Sequence, residues 1–317
     1  MKVFEFQNGD KMPMLGLGTW KAAPGQVYDA VREAIKIGYR HFDCAAIYRN
    51  EEEIGQAFED VFAAGEVTRE ELWITSKLWN NAHGEENVLS ALQKTLADLR
   101  LSYLDLYLIH WPVALKPEVL FPESGTDFFS LEEKPIANTW KGMENVVKAG
   151  LTRHIGVSNF TINKLKQLLN TCDIRPEMNQ IEMHPFLQQP EMIKYCQEQH
   201  IFLTAYSPLG SGDRPDILKS SDEVSLLENE VIMRIAEAKG CSPAQVLIQW
   251  ALERGTAVIP KSANPVRLKQ NFESTTVQLG PDDMNEIARL DQHARYIKGI
   301  FWTMPESPYT VEELWDE

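Results

Sequence analysis

An aspartate, a lysine and a histidine each close a short apolar run in the first third of the sequence, and a tyrosine follows the first of them by five residues. The runs are GYRHFD, ending on Asp43, ELWITSK, ending on Lys77, and LDLYLIH, ending on His110; the tyrosine is Tyr48. Brought together, these four types suit proton delivery to a carbonyl oxygen. A phenol has an ordinary pKa of about 10, too high for easy proton exchange at neutral pH. A neighbouring ammonium stabilises the phenolate and lowers that value, and an aspartate keeps the ammonium charged and oriented. A histidine alongside can donate a hydrogen bond to the carbonyl oxygen as charge develops there. Tyr48 is therefore the candidate general acid. Singly, each residue has a plainer role: Asp43 and Lys77 an ion pair, Tyr48 an amphipathic side chain, His110 a strand end before Trp111 and Pro112. Four at once on adjacent strand ends favour the chemical reading.

The positioning elements are strand-like runs alternating with helix-like ones. The strand candidates are MLGLGT, YRHFD, ELWITSK, YLDLYLIH, HIGVSN, EMNQIEM, IFLTAYS and TAVIPKS. Between them, segments such as QVYDAVREAIKIG and NVLSALQKTLADL carry apolar residues at spacings of three and four. Eight such runs allow a closed (β/α)8 barrel or an open doubly wound sheet. The count and the length favour the TIM barrel. No strand is followed by G-x-G-x-x-G, and GLGTWKAAPG lacks the third glycine at the required offset. In a parallel barrel consecutive strands are neighbours, so Asp43, Lys77 and His110 converge at the C-terminal rim of strands two, three and four. FEFQNGDKMPML holds an NG turn signal and reads as an N-terminal β-hairpin, about residues 3–14, plugging the bottom. Long connections at 113–135 and 207–227, and the tail from 293, belong to the C-terminal face, where barrel enzymes keep their sites. With no linker or repeat, residues 1–317 are expected to form one domain, its tail (about 293–317) lying over the substrate pocket.

Composition bounds the partners. Apolar residues make up 44% and charged residues 24%, enough for a sizeable core. A net charge of −15 argues against nucleic acid, although a few local lysines or arginines can still bind an anion. The cysteines, Cys44, Cys172, Cys196 and Cys241, form no C-x-x-C pair and suit a reducing compartment. The seven histidines show no metal-binding spacing, so no metal is expected. MKVFEFQNGDKMP lacks the apolar core of a signal peptide, and no run approaches membrane-spanning length. The expectation is a cytoplasmic protein with no membrane or nucleic-acid partner, a monomer or weak homodimer.

GYRHFDCAAIYRNEEEIG (38–55) resembles the first signature of the aldo-keto reductase family, with Asp43 and Tyr48 in register. SKLWN (76–80) and LYLIHWP (106–112) supply Lys77 and His110 of that family's catalytic tetrad. HIGVSNF (154–160) is similar to its middle signature and IPKSANPVRLKQNF (259–272) to its late one. The resemblance covers roughly residues 5–300 and is nearest the aldose reductase and xylose reductase branch. It implies NADP(H), with NAD(H) use left open. Ser158, Asn159 and Gln180 would hold the carboxamide and Tyr206 would stack on the nicotinamide ring. Ser207, Leu209, Ser211 and Asp213 would belong to a loop closing over the pyrophosphate, and Thr19, Trp20 and Asp43 would also touch the cofactor. Lys261, Ser262 and Arg267 would grip the 2′-phosphate, with Gln270 and Asn271 near adenine; a compact lysine plus an arginine fork suits a phosphate. Trp20, Trp79, Trp111 and Trp302 would line the substrate pocket around Tyr48 and His110.

The implied activity is NADPH-dependent reduction of aldehydes or aldoses. A ketone, keto-ester or steroid carbonyl reductase is the alternative within the family. A non-catalytic nicotinamide-binding protein on the same fold is the alternative outside it, disfavoured because all four tetrad positions survive. The tail SPYTVEELWDE departs from the aldose reductase ending, so specificity set by the tail does not carry over.

Overall fold

The structure, a computed structural model, describes residues 2–212, 214, 219 and 225–317. It opens with an antiparallel hairpin of β1 (Val3–Glu5) and β2 (Lys11–Pro13), Phe4 facing Met12. Gly9 adopts φ 90° in the connecting turn, a conformation that costs a glycine little. Phe6 stacks on Trp73 at 5.0 Å between ring centroids, and Phe4 on Phe202 at 4.3 Å. Trp73 and Phe202 begin their strands, so the hairpin covers the N-terminal mouth of the barrel, as the sequence leads one to expect.

The barrel strands are β3 (Leu17–Gly18), β4 (His41–Asp43), β5 (Trp73–Leu78), β6 (Leu104–Ile109), β9 (Thr152–Ser158), β10 (Met178–Glu182), β11 (Phe202–Tyr206) and β12 (Ala257–Val258). They pair in parallel in the order β12-β11-β10-β9-β6-β5-β4-β3. Parallel bridges from Leu15 to Val258 and from Gly18 to Lys261 join the two edges and close the barrel. The seam is tight: a Cβ on Gly18 would stand 2.7 Å from the Ile259 carbonyl oxygen. Every residue of β5 and β6 is buried, which is why these strands read as near-continuous apolar runs rather than alternating ones.

Helices pack around the barrel: α1 (Gln26–Ile37), α2 (Glu51–Ala63), α3 (Glu85–Leu99), α4 (Ile136–Lys148), α5 (Ile162–Leu169), α6 (Pro190–Gln199), α7 (Glu230–Lys239), α8 (Pro243–Glu253), α9 (Pro265–Glu273), α10 (Pro281–Ala288) and α11 (Val311–Trp315). In α1 the buried stripe Val27, Ala30, Val31, Ala34 and Ile35 follows the helical period, and Gly38 at φ 118° ends it. Among the described residues no helix is long and apolar enough to cross a membrane.

Two boundaries differ from the sequence reading. Lys77 lies one residue inside the end of β5, and His110 one residue past the end of β6. The 113–135 connection is not plain loop. It contains a small hairpin of β7 (Ala114–Leu115) and β8 (Phe128–Phe129), which the tail clasps through Tyr309. The Tyr309 hydroxyl donates to the Phe129 carbonyl at 2.7 Å and accepts from the Ala114 N–H at 2.9 Å.

Candidate active site

Asp43 is the last residue of β4 and pairs with Thr75; Lys77 is on the same face as Thr75, two residues nearer the rim. That register sets the Lys77 ammonium over the carboxylate. Its Nζ lies 2.5 Å from Asp43 Oδ1, 2.8 Å from the Cys44 carbonyl oxygen and 3.4 Å from the Tyr48 hydroxyl. Lys77 is 0% exposed on its side chain and Asp43 2%. The second carboxylate oxygen, Oδ2, accepts from Gln180 Nε2 at 2.7 Å. Tyr48 ends a 3₁₀ turn over Ala46–Tyr48, half-buried, with the His110 ring edge-on at 5.9 Å.

Burial disfavours the Lys77 ammonium, but the Asp43 charge, Tyr48 and the Asp43 hydrogen bond together outweigh it, and its pKa lies above that of an ordinary lysine. Burial, with Lys77 adding to it, holds the His110 imidazolium well below its usual range, so His110 is neutral. For Tyr48 the sequence argument needs correcting. Lys77 does pull the phenol down, but burial pushes harder in the other direction and Asp43 adds to it, leaving the group raised to about 12. In the free protein Tyr48 is a proton carrier, not a phenolate.

The tetrad opens on a cleft of about 1420 Å³ along the C-terminal rim. Thr19, Trp20, Ser158, Asn159, Gln180 and Tyr206 line it beside Tyr48 and His110. Thr19 Oγ1 donates to the Asp43 carbonyl at 2.8 Å, and Trp20 tilts toward Tyr48 at 6.4 Å. Asn159, in left-handed backbone at φ 64°, donates to the His110 carbonyl at 2.9 Å and accepts from the Tyr206 hydroxyl at 2.7 Å. Ser158 Oγ donates to the Gln180 carbonyl at 2.8 Å. These residues are thus cross-linked to one another and to the tetrad.

Further along lie Ser207, Leu209 and Ser211, with Lys21 reaching from the opposite side to Ser211 Oγ at 3.1 Å. Asp213 lies outside the described residues. The far end carries Lys261, Ser262, Arg267, Gln270 and Asn271. Asn264 caps α9 there by accepting from the Arg267 N–H. The Arg267 guanidinium has no carboxylate partner among the described residues, and the residue is exposed.

At the other end the walls are aromatic. Trp79 meets His110 edge-on at 5.2 Å, and Trp302 contacts Trp79 at 5.7 Å and Trp111 at 5.8 Å. Trp302 is only 1% exposed, so the tail builds a wall rather than a flap. Sequence reasoning missed Ile47, Phe121, Ile297, Phe301 and Met304, which complete this end; nothing distinguishes an apolar lining residue from a core one in sequence. It also missed the Cys44 carbonyl and Asn50, whose buried side chain donates to the Thr19 carbonyl at 2.9 Å. Among the described residues no three His, Cys, Asp or Glu side chains cluster as metal ligands.

The aldo/keto reductase family model matches residues 14–292. A Synechocystis protein named aldo/keto reductase is 54% identical over 317 residues, covering 100% of this chain and 97% of that one. The human aldo-keto reductase family 1 member A1 is 46% identical over 291 residues, covering 91% of this chain and 89% of that protein. The aldose reductase structure from Schistosoma japonicum superposes with a TM-score of 0.87 at 38% identity, covering 98% of this chain and 99% of that one. Barrel, cleft and likeness along the whole chain agree: this protein belongs to the aldo/keto reductase family, oxidoreductases that act on carbonyl groups.

Proposed function

We propose that the protein reduces aldehydes and aldoses to alcohols with NADPH, Tyr48 delivering the proton, and that the hairpin floor, barrel and tail work as one catalytic unit. The observation that carries this is the buried Lys77 ammonium, shared between Asp43 and the Tyr48 hydroxyl at one end of the cleft. The cleft fits the cofactor. Among the described residues Arg267 at its far end has no carboxylate partner, and Lys261, Ser262 and Arg267 offer the donor set a ribose 2′-phosphate requires. Gln270 and Asn271 would face the adenine, and Ser158, Asn159, Gln180 and Tyr206 the nicotinamide. The hydride for the carbonyl carbon would come from a dihydronicotinamide bound there.

The chain's own residues do the rest. Tyr48, protonated at neutral pH, donates its O–H proton to the carbonyl oxygen as negative charge builds on it. Lys77, 3.4 Å away, stabilises the phenolate left behind, and Asp43 keeps the ammonium in place. The His110 ring adds a second donor. Its Nδ1 is buried without a partner among the described residues, so a proton there would be an orphan; the Nε2–H tautomer instead presents its donor to the cleft. Trp79, Trp111 and Trp302 exclude water, which strengthens each of these interactions. Apolar walls around one polar pair favour aldehydes with apolar or lightly hydroxylated tails.

The test is consumption of NADPH, and separately NADH, with a panel of aldehydes, aldoses and ketones. Rapid NADPH loss with aldehydes supports the reading. Turnover confined to ketones would replace it with the keto-ester or steroid alternative, and cofactor binding without turnover would replace it with a non-catalytic role.

A further inference from the structure

Arg49 follows Tyr48 directly and has no part in the mechanism above. It ends the 3₁₀ turn in left-handed backbone at φ 55°, its N–H on the Ala46 carbonyl at 3.2 Å. A non-glycine residue is strained there, and such positions concentrate at functional sites. Asn50, buried and bonded to the Thr19 carbonyl, fixes the other side of the turn. The Arg49 side chain is exposed, its guanidinium carbon 5.8 Å from the centroid of the Phe121 ring. Phe121 is 57% exposed, lines the cleft, and meets Trp79 edge-on at 6.2 Å. Trp79 also donates from Nε1 to the Leu120 carbonyl at 2.8 Å, which holds Phe121 at the mouth. Aromatic rings therefore run without a break from His110 to the guanidinium.

Among the described residues no carboxylate lies within ion-pair distance of Arg49, and its guanidinium makes no hydrogen bond. The chain carries 46 acidic side chains against 31 basic ones, yet Arg49, like Arg267 at the far end of the cleft, stands apart from them. Arg32, Arg69, Arg100, Arg153, Arg234 and Arg295 each sit against a carboxylate. The nearby walls, Ile47, Trp79, Trp111, Phe301 and Trp302, are uncharged and would not repel an anion. A planar guanidinium on an aromatic face is suited to a carboxylate or phosphate, which it can bond through two parallel N–H donors.

We infer that Arg49, seated on Phe121, recognises an anionic group at the end of the substrate remote from the carbonyl. The preferred substrates are then aldehydes bearing a carboxylate or a phosphate several bonds from the reacting carbon. This rests on the reductase reading and narrows its substrate class.

The experiment compares kcat/KM with NADPH for matched pairs: succinic semialdehyde and butanal, 4-carboxybenzaldehyde and its methyl ester, glyceraldehyde 3-phosphate and glyceraldehyde. Wild type, Arg49→Ala and Arg49→Lys are measured at low and high salt. Wild type should prefer the anionic member by about tenfold, mainly through KM, and lose part of that preference as salt rises. The ratio should fall near one in Arg49→Ala and recover partly in Arg49→Lys. A preference in the carboxylate pairs alone assigns the site to aldehydo acids, and one in the phosphate pair alone to sugar phosphates. Aldehyde turnover with no anionic preference, or with a ratio untouched by Arg49→Ala, overturns the inference and leaves the reductase reading standing. No turnover of any aldehyde overturns both.

Discussion

Gln180 donates to Asp43 across the barrel interior at 2.7 Å, with three strands lying between theirs in the sheet. Asp43 is thereby held at both oxygens, by Lys77 on one and Gln180 on the other. The ammonium that serves Tyr48 is thus positioned by a carboxylate that itself cannot rotate.

Asp43→Asn removes the counter-charge of a fully buried lysine. Breaking one partner from a buried pair costs about 3–5 kcal/mol, and urea unfolding should show a loss of that order together with a fall in kcat. Gln180→Leu leaves the pair but frees one carboxylate oxygen, a loss of about 1–3 kcal/mol. Equal stability in all three proteins would show that the network does not hold the rim.

Tyr48→Phe keeps the ring and loses the proton. Removing a general acid costs about 10²–10⁴ in rate, so kcat should fall by that factor while NADPH affinity, read by quenching of tryptophan fluorescence, stays nearly constant. Retention of full activity would remove Tyr48 from the mechanism.

Lys261→Ala with Arg267→Ala should weaken NADPH far more than NADH. Two lost charge-assisted contacts correspond to a factor of about 10² or more in Kd. Equal weakening of both cofactors would mean that these side chains do not read the 2′-phosphate.

Glu51, at the first turn of α2, is 3% exposed and bonded to Ser76 Oγ at 2.6 Å. Burial raises its carboxyl to about 7, against an ordinary value of 4.5. Between those values the unfolded chain has released the proton and the folded chain has kept it, so the Glu51 contribution to stability falls as pH rises from 4.5 to 7. Across that window the folded state loses about 3 kcal/mol of stability through this one group. Glu51→Gln abolishes this titration, so the stability difference, mutant minus wild type, should become more favourable to the mutant between pH 4.5 and 8. A difference that stays flat across that range would place the folded pKa near the unfolded one.

Much of the fold was legible because barrel strands are buried on both faces. ELWITSK and YLDLYLIH stand out as apolar runs for that reason, and alternation with helical periods gave the strand count. The hairpin showed itself through the NG turn. The β7–β8 hairpin within 113–135 did not, because two-residue strands carry no periodicity and are held by distant partners such as Tyr309.

Chemistry by itself was set down in the sequence: which side chains lie within a residue of the strand ends, the five-residue step from Asp43 to Tyr48, and a lysine and an arginine in one late segment. What only the tertiary structure decided were the quantities that depend on neighbours far along the chain. Gln180 reaches Asp43 only because the sheet closes. The Tyr48 phenol is raised rather than lowered because packing removes more water from it than Lys77 can compensate. Arg49 meets Phe121 in a segment that Trp79 holds at Leu120 and Tyr309 at its hairpin. Residue type fixes what a group can do, whereas solvation and distance, properties of the folded chain, fix its charge state and what it touches.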